Sequence, residues 1–245
     1  MKYIEYGKEN IDVIILLHGG GLSWWNFREV AELLQSNYHV ILPILDGHAN
    51  SDKDFTTIKN NALEILEYLE TNYNGFVRMI GGLSLGAQIV LEILSLKKDV
   101  CQYAIIESAL VVPSKLTYYF IKPAFGSCYG LIKQKWFSKL QFQSLKIKEH
   151  LYDDYYQDTC LITKENMINF LEENSIYTLK ESIKDTNAKV LIYVGQKESH
   201  VMRKSAQIIY RTIPNSKLSI LPNLYHGEFS INHASEYVRE ILRLK

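Results

Sequence analysis

The 245-residue chain has little of several features that mark specialised proteins. Its three cysteines, Cys101, Cys128 and Cys160, are widely spaced and form no CxxC pair, so neither a disulfide framework nor a zinc site is expected. No run of 18 uncharged apolar residues occurs, and charges fall within the first ten residues, MKYIEYGKEN, where a signal peptide would be apolar. These absences predict a soluble, cytoplasmic protein with no membrane span.

The chain also lacks an excess of either charge. Lysine plus arginine and aspartate plus glutamate number 27 each, and we see no basic block suited to a phosphate backbone. Nucleic acid is therefore not an expected partner. Hydrophobic residues make up 47% of the chain and charged residues 22%, which is enough apolar surface for one compact domain. The expected partner is a small molecule, and the oligomeric state is left open, with a homo-oligomer as one option.

Short apolar runs alternate with segments of helical periodicity from residue 12 onward. This alternation is typical of an α/β fold with a mainly parallel central sheet and helices on both faces. Helices are predicted near 57–71, 85–97 and 201–213, at the C-terminal end, and after Asn26, where Glu29 completes a capping-box pattern. The predicted strands are VIILL at 13–17, VILPIL at 40–45, FVRMI at 76–80, YAIIE at 103–107, VLIYV at 190–194 and KLSIL at 217–221.

The alternation stops between about residues 113 and 185. No clear strand is present there, and Pro113, Pro123, Gly126 and Gly130 predict short helices. The segment holds 13 of the 29 aromatic residues, and its ten lysines and nine acidic residues nearly cancel. We interpret it as a helical lid or cap inserted into an α/β core formed by residues 1–112 and 186–245.

The strongest chemical signal is Gly82-Leu83-Ser84-Leu85-Gly86, which lies between a predicted strand and a buried helix. In a G-x-S-x-G elbow the serine occupies a strained turn, and the glycines allow the backbone to bend tightly. The turn lifts the serine hydroxyl above the sheet and directs the helix N-terminus at the oxyanion that forms. Ser84 is therefore the predicted nucleophile. The alternative is a glycine-rich turn with an inactive serine.

A second glycine-rich segment, His18-Gly19-Gly20-Gly21, follows the first buried strand. Small residues at this position let backbone N–H groups approach a substrate carbonyl. We expect the N–H groups of Gly20 and Leu85 to form the oxyanion hole, with Gly21 as an alternative donor. His18 is interpreted as a structural residue of this loop.

A nucleophilic serine requires a base and an acid that orients the base. Of seven histidines, His226 is the candidate base. It lies in a loop after the last strand, at the carboxyl end of the sheet, where ligand sites of open α/β sheets gather. Glu198, after the strand VLIYV, is the favoured acid. Glu107, at the end of an earlier strand, is the alternative acid. Each carboxylate also has a simpler interpretation as a solvated charge at a strand end.

These motifs together resemble the α/β-hydrolase fold family, in particular its serine esterase and lipase-like members with an inserted lid. The similarity covers nearly the whole chain except the lid, and it includes the order serine, acid, histidine. The segment VILPILDGHANS at 40–51 is similar to a family loop that usually reads Pro-Asp-x-x-Gly-His-Gly-x-Ser. That loop is structural in most members, so His48 receives no catalytic role. The family more often has aspartate where this chain has Glu198.

The motifs predict cleavage of a small or medium, mainly apolar carboxylic ester through an acyl-enzyme, without a metal or an organic cofactor. Aromatic residues suggested as substrate contacts are Trp24, Trp25, Tyr118 and Trp136, although most lid aromatics are expected to form the lid's own core. Two alternatives remain. The same residues can serve a C–C bond hydrolase, a lyase or an acyltransferase, or the fold can act as a non-catalytic binding module.

Overall fold

The computed structural model describes residues 1–244, which form a seven-stranded sheet in the order β1-β3-β2-β4-β5-β6-β7. The strand β1 pairs antiparallel with β3, and the remaining neighbours pair in parallel. The mainly parallel sheet predicted from the sequence is therefore confirmed. The strands are β1 (Lys2–Tyr6), β2 (Val13–Leu17), β3 (His39–Ile44), β4 (Val77–Leu83), β5 (Cys101–Glu107), β6 (Lys189–Gly195) and β7 (Ser216–Leu221).

The strand β1 was not among the predicted strands. Its five residues, KYIEY, include two charged side chains, and the strand is exposed or half-buried along its length. It lies at the edge of the sheet and pairs with β3 alone. An edge strand with one neighbour buries too little apolar surface to leave the continuous hydrophobic run that marks the central parallel strands.

Helices cover both faces of the sheet, as predicted. The alternating side chains of β2 show the division, because Ile15 and Leu17 join the core on one face while Ile14 and Leu16 join the core on the other. The helices α2 (Ile58–Tyr73), α3 (Leu85–Leu96) and α8 (His200–Thr212) pack on the first face. The opposite face is covered by α1 (Arg28–Leu34), α9 (Glu228–Asn232) and α10 (Ala234–Leu242).

Four helices lie between β5 and β6, in the region predicted to be an inserted lid. They are α4 (Lys115–Ile132), α5 (Lys135–Leu145), α6 (Tyr152–Leu161) and α7 (Lys164–Ile176), and the described residues of this segment include no strand. The longest of them, α4, has 18 residues and continues through Pro123. The expectation of short helices is therefore wrong for α4, whereas α5, α6 and α7 have 11, 10 and 13 residues.

Helix α4 tolerates Pro123 because of where the proline lies. A proline inside a helix removes one N–H donor and leaves the carbonyl four residues earlier, here that of Tyr119, without its helical partner. Both residues are exposed, so water can donate a hydrogen bond to that carbonyl.

No helix of the described chain is long and apolar enough to cross a membrane.

Candidate active site

The predicted nucleophile lies at a sharp turn between β4 and α3. Ser84 has φ 54° and ψ −112°, a conformation that side-chain-bearing residues rarely adopt. Two glycines make the turn possible. A Cβ atom on Gly86 would overlap the carbonyl oxygen of Leu17, and one on Gly82 would overlap the backbone of Gly86. The GLSLG segment therefore has the backbone geometry of a strand-to-helix elbow, with Ser84 at its apex.

Glu198 and His226 meet at the carboxyl end of the sheet. The Nδ1 atom of His226 lies 2.8 Å from Oε2 of Glu198, whose side chain is almost fully buried while that of His226 is 45% exposed. The other oxygen of Glu198 accepts hydrogen bonds from the Gly195 N–H and the Ser108 hydroxyl, each at 2.7 Å. A carboxylate held in this way fixes the orientation of the imidazole, as an acid in a catalytic triad does.

The protonation of this pair follows from its surroundings. Burial by itself raises the pKa of a carboxyl group, but the hydrogen bonds that Glu198 accepts hold its pKa below the ordinary value. Glu198 is therefore ionised at neutral pH, and Nδ1 of His226 must donate to it. The Nε2 atom of the same ring is then the nitrogen that can accept a proton from a nucleophile.

Glu107, the alternative acid, occupies a different environment at the end of β5. It is buried, its Oε1 accepts a hydrogen bond from the Ser230 N–H at 3.2 Å, and its Oε2 has no partner among the described residues. Burial raises the pKa of Glu107 to about 7. No hydrogen bond joins it to His226 within the described chain, so the geometry favours Glu198 as the residue that orients the histidine.

The glycine loop after β2 is fixed by two side chains. The Asn26 Oδ1 atom accepts from the Gly19 N–H at 3.2 Å, and the His48 Nε2 atom accepts from the Gly21 N–H at 3.1 Å. The N–H groups of Gly20 and Leu85 have no acceptor among the described residues. These two residues also lie close together, since a Cβ atom on Gly20 would be 3.5 Å from Cβ of Leu85.

The three candidate oxyanion donors differ in whether their N–H groups are already hydrogen-bonded. The Gly21 N–H is hydrogen-bonded to His48, whereas the N–H groups of Gly20 and Leu85 are two neighbouring donors that remain available.

Asn26 lies inside a short 3-10 helix, Trp24–Phe27, and α1 begins only at Arg28. The predicted capping box at Asn26 is therefore wrong, because the side chain of Asn26 anchors the glycine loop instead.

Two buried histidines support the same loop. His18 donates from Nδ1 to the Gly19 carbonyl and accepts the Leu45 N–H at Nε2. His48 contacts it edge to face and donates from Nδ1 to the Asp46 carbonyl. Burial lowers the pKa of His48 to about 4 and holds the pKa of His18 well below its ordinary value. Both rings are therefore neutral at pH 7, which lets each use one nitrogen as an acceptor.

One cavity of about 190 Å³ brings these parts together. Ser84, His226 and the glycines 19–21 line its floor, and Leu83 and Gly227 lie beside them. No described side chain on its wall is acidic or a lysine or arginine. Most of the remaining wall comes from the helical segment 113–185, through Phe125, Ile132, Leu145, Ile147, Met167 and Phe170, among others.

The sequence matches the protein family described as serine aminopeptidase, S33, over residues 8–230. This chain belongs to that family and is an α/β-hydrolase. Among curated proteins, none matches the sequence.

Solved structures share the hydrolase's fold at low sequence identity. A thermophilic esterase from Thermogutta terrifontis superposes with a TM-score of 0.79 at 17% identity, covering 99% of this chain and 92% of the esterase. An enol-lactonase from Burkholderia xenovorans LB400 superposes with a TM-score of 0.80 at 12% identity, covering 98% of this chain and 94% of the lactonase. A bromoperoxidase from Bacillus anthracis gives 0.82 at 16% identity, covering 98% and 93%. At these identities the similarity establishes the fold, while the names of these proteins describe different reactions.

The four aromatic residues suggested as substrate contacts lie outside the hydrolase's cavity. Trp25 is buried and donates from Nε1 to Asp158, whereas Trp24 packs under the guanidinium of Arg28. Tyr118 contacts Tyr119, and Trp136 is 65% exposed. None of the four is among the described residues that line the cavity, where Phe125, Tyr155 and Phe170 supply the aromatic surface instead.

Two side chains that support the site, His48 and Ser108, were not predicted to do so from the sequence. His48 carried a signal, because it lies in a motif similar to a family loop, but its bond to Gly21 spans 27 positions. Ser108 carried none, since its contact with Glu198 joins the ends of two neighbouring strands. Within the described chain, no cluster of three or more histidine, cysteine, aspartate or glutamate side chains is arranged to hold a metal ion.

We predict that Glu198→Gln and Glu107→Gln have very different effects on activity. Glutamine at 198 removes the charge that sets the tautomer of His226, and we expect kcat for an activated ester to fall about 100-fold to 10,000-fold. Glutamine at 107 keeps an acceptor for the Ser230 N–H, and we expect a fall of less than about tenfold. Steady-state kinetics on both variants, with melting curves to check folding, measures this. A larger loss for the variant at 107 would contradict the assignment.

The raised pKa of Glu107 predicts a pH-dependent effect on stability. An exposed glutamate ionises near pH 4.5, but Glu107 in the folded protein keeps its proton up to about pH 7. Its contribution to stability is therefore complete below about pH 4.5 and is lost as pH rises to 7. Relative to wild type, Glu107→Gln should gain stability between pH 5 and pH 8, by on the order of 2–3 kcal/mol. Urea unfolding of both proteins at pH 5 and at pH 8 tests this. A difference in free energy of unfolding between variant and wild type that is the same at both pH values would refute it.

The ring of His48 stacks on that of Phe170, with the two ring centroids 4.8 Å apart. His48→Phe keeps a ring in this position but removes the acceptor for the Gly21 N–H. We expect kcat to fall about tenfold with little change in KM, because one hydrogen bond that positions the loop is lost. His48→Gln retains an acceptor and serves as the control. Wild-type kcat in a folded His48→Phe variant would show that this bond does not position the loop.

Proposed function

We propose that the hydrolase is a serine carboxylic ester hydrolase that acts on a small or medium, mainly apolar ester. The observation that carries this proposal is the hydrogen bond between Glu198 and His226, with His226 and the elbow residue Ser84 lining one cavity. In this mechanism Ser84 attacks the ester carbonyl while His226 takes its proton, and Glu198 stabilises the resulting imidazolium. The imidazolium returns this proton to the departing alcohol as the acyl-enzyme forms. Water, deprotonated by the neutral His226, then cleaves the acyl-enzyme and releases the acid.

The available backbone donors support this mechanism. The free N–H groups of Gly20 and Leu85 are assigned to the oxyanion that forms when Ser84 attacks. Such donors are a large part of catalysis, since the loss of one typically reduces turnover about 100-fold to 1000-fold. The bonds from Asn26 and His48 hold the loop in place before substrate binds, so little reorganisation is needed during the reaction.

The size and polarity of the cavity support the proposed substrate class. Its volume of about 190 Å³ is below the range of roughly 300–1,000 Å³ that holds drug-sized ligands, which favours a short acyl group. Its apolar walls match a hydrocarbon chain. An aminopeptidase would need a group to bind the substrate's free ammonium, and the described cavity wall has no carboxylate for this.

The helical segment 113–185 is assigned the role of a lid. Its residues form most of the cavity wall opposite Ser84, while loops at the carboxyl ends of the core strands supply Ser84, Glu198 and His226. A lid of this kind determines which acyl chains fit and shields the bound substrate from bulk solvent.

The first test is labelling of the folded protein with a fluorophosphonate. We expect covalent modification at Ser84, none in Ser84→Ala, and normal modification in Ser127→Ala, whose serine is exposed on α4. A panel of p-nitrophenyl esters with acyl chains of increasing length should then show a burst of product and a maximum of kcat/KM at short or medium chains.

The panel includes compounds for the competing reactions. Turnover of an aminoacyl p-nitroanilide, a diketone or a thioester in the absence of ester hydrolysis would replace the proposal with an aminopeptidase, a C–C hydrolase or an acyltransferase. Absence of labelling at Ser84 in folded protein would exclude serine catalysis altogether.

A further inference from the structure

The helices α4 and α5 carry an unusual combination of charge and exposed apolar surface. Residues 115–148 contain seven lysines and no aspartate, glutamate or arginine, although the whole chain has no net charge. The nine acidic residues of the helical segment 113–185 all lie at position 149 or beyond. The overall charge balance therefore conceals a basic region of 34 residues.

The same region concentrates exposed apolar side chains. Eighteen large apolar side chains are exposed in the described part of the chain, and six of them lie between residues 116 and 140. Single exposed apolar residues are normal, but a group of large ones in so short a segment marks a contact surface. They are Leu116 (71% exposed), Tyr119 (71%), Phe120 (63%), Leu131 (38%), Trp136 (65%) and Leu140 (61%).

On α4 the exposed residues form one face of the helix. Leu116, Tyr119 and Phe120 project away from the face that carries Ile121, Phe125 and Ile132, as their 3.6-residue spacing and opposite burial indicate. The inner face lines the cavity above Ser84 through Phe125 and Ile132. Helix α4 therefore has two apolar faces, one toward the cavity and one toward solvent.

Helix α5 repeats this arrangement. Ser138 and Phe142 are buried, while Trp136 and Leu140 lie on the opposite, exposed face. Lys135 and Lys139 lie next to these two apolar residues in the sequence and are also exposed.

Most of the lysines here are not neutralised by carboxylates. Lys148 pairs with Glu29, but Lys115, Lys122, Lys133 and Lys135 form no ion pair with a described residue. Lys139 and Lys146 lie in a groove with Glu149 and Asp153, beyond ion-pair distance. The exposed surface of α4 and α5 thus combines unpaired positive charge with aromatic and leucine side chains.

We propose that the outer faces of α4 and α5 bind the surface of an anionic lipid bilayer. Lysine ammonium groups attract anionic headgroups, while tryptophan, tyrosine, phenylalanine and leucine insert at the boundary between headgroups and acyl chains. A nucleic acid would use the lysines but would leave the leucines in water. The binding is peripheral, with the helices lying in the plane of the membrane, and it places the cavity wall next to the lipid.

The test uses flotation of the full-length protein with vesicles. Vesicles of phosphatidylcholine alone are compared with vesicles containing about 30 mol % phosphatidylglycerol. We expect binding to the anionic vesicles only, weakening as salt rises from about 50 to 500 mM. The measurement is repeated with Ser84→Ala, which lacks the proposed nucleophile. Because vesicle binding is measured without catalysis, its failure is distinguishable from failure of the proposed function.

Two pairs of substitutions separate the apolar and the charged contributions. The double variant Trp136→Ser, Leu140→Ser should reduce the partition coefficient into anionic vesicles at least tenfold. The double variant Lys133→Gln, Lys135→Gln should reduce it by about fivefold for each lysine removed. The matched controls, Ile11→Ser (wild-type side chain 96% exposed) and Lys204→Gln with Lys217→Gln, should bind as wild type. All positions are exposed, so melting curves should be unchanged.

A spectroscopic measurement reports insertion directly. Anionic vesicles should shift the tryptophan emission of wild type to shorter wavelength, and Trp136→Phe should abolish that shift. Three results would overturn the proposal: equal binding to both kinds of vesicle, binding unaffected by either pair of substitutions, or full binding by the Trp136 and Leu140 variant. The last would indicate attraction to any polyanion without insertion into lipid.

Discussion

The close contact of β2, β4 and α3 at Gly82 and Gly86 is the constraint on which the site depends. No side chain can be accommodated there, because the carbonyl of Leu17 and the backbone of the helix occupy the space that a Cβ atom would need. The chain can therefore turn from strand to helix within a single residue, and that residue is Ser84. The same contact places the first N–H of α3 beside the glycine loop that follows β2. One backbone contact thus positions both the serine and the two donors assigned to the oxyanion.

Burial and hydrogen bonding together shift the pKa values of the polar groups around the turn. Glu198 remains ionised because its hydrogen bonds outweigh the cost of desolvation, whereas Glu107, with one bond from Ser230, is pushed toward the neutral form. His48 is kept neutral by the same physical effect that raises the pKa of Glu107. The pKa values of these two carboxyl groups, which follow neighbouring strands, are therefore shifted in opposite directions, and only Glu198 is hydrogen-bonded to His226.

The helices between β5 and β6 complete the cavity from the opposite side. Their inner faces are apolar because they cover Ser84 and its surroundings, which is consistent with a substrate that carries hydrocarbon. The outer faces of α4 and α5 also carry apolar side chains, although they have no protein partner in the described structure, and lysines accompany them. Burial against the core explains the inner faces alone, and the outer faces are the basis for the inferred membrane contact.

The sequence by itself determined the fold class, six of the seven strands, and the elbow at Ser84. These features are local, since the alternation of apolar runs and the spacing of two glycines around a serine can be read within a few residues. It also gave Glu198 precedence over Glu107, but only by position, because a linear pattern contains no distance between residues 107, 198 and 226.

Only the tertiary structure decided which groups support the site and which aromatic residues line the cavity. The bonds of His48 to Gly21 and of Ser108 to Glu198 join segments far apart in the chain. Trp25 and Trp136 have the same side chain, yet one is buried against Asp158 and the other is exposed. Burial and hydrogen-bond partners depend on how the helices pack on the sheet, so composition and spacing cannot fix them.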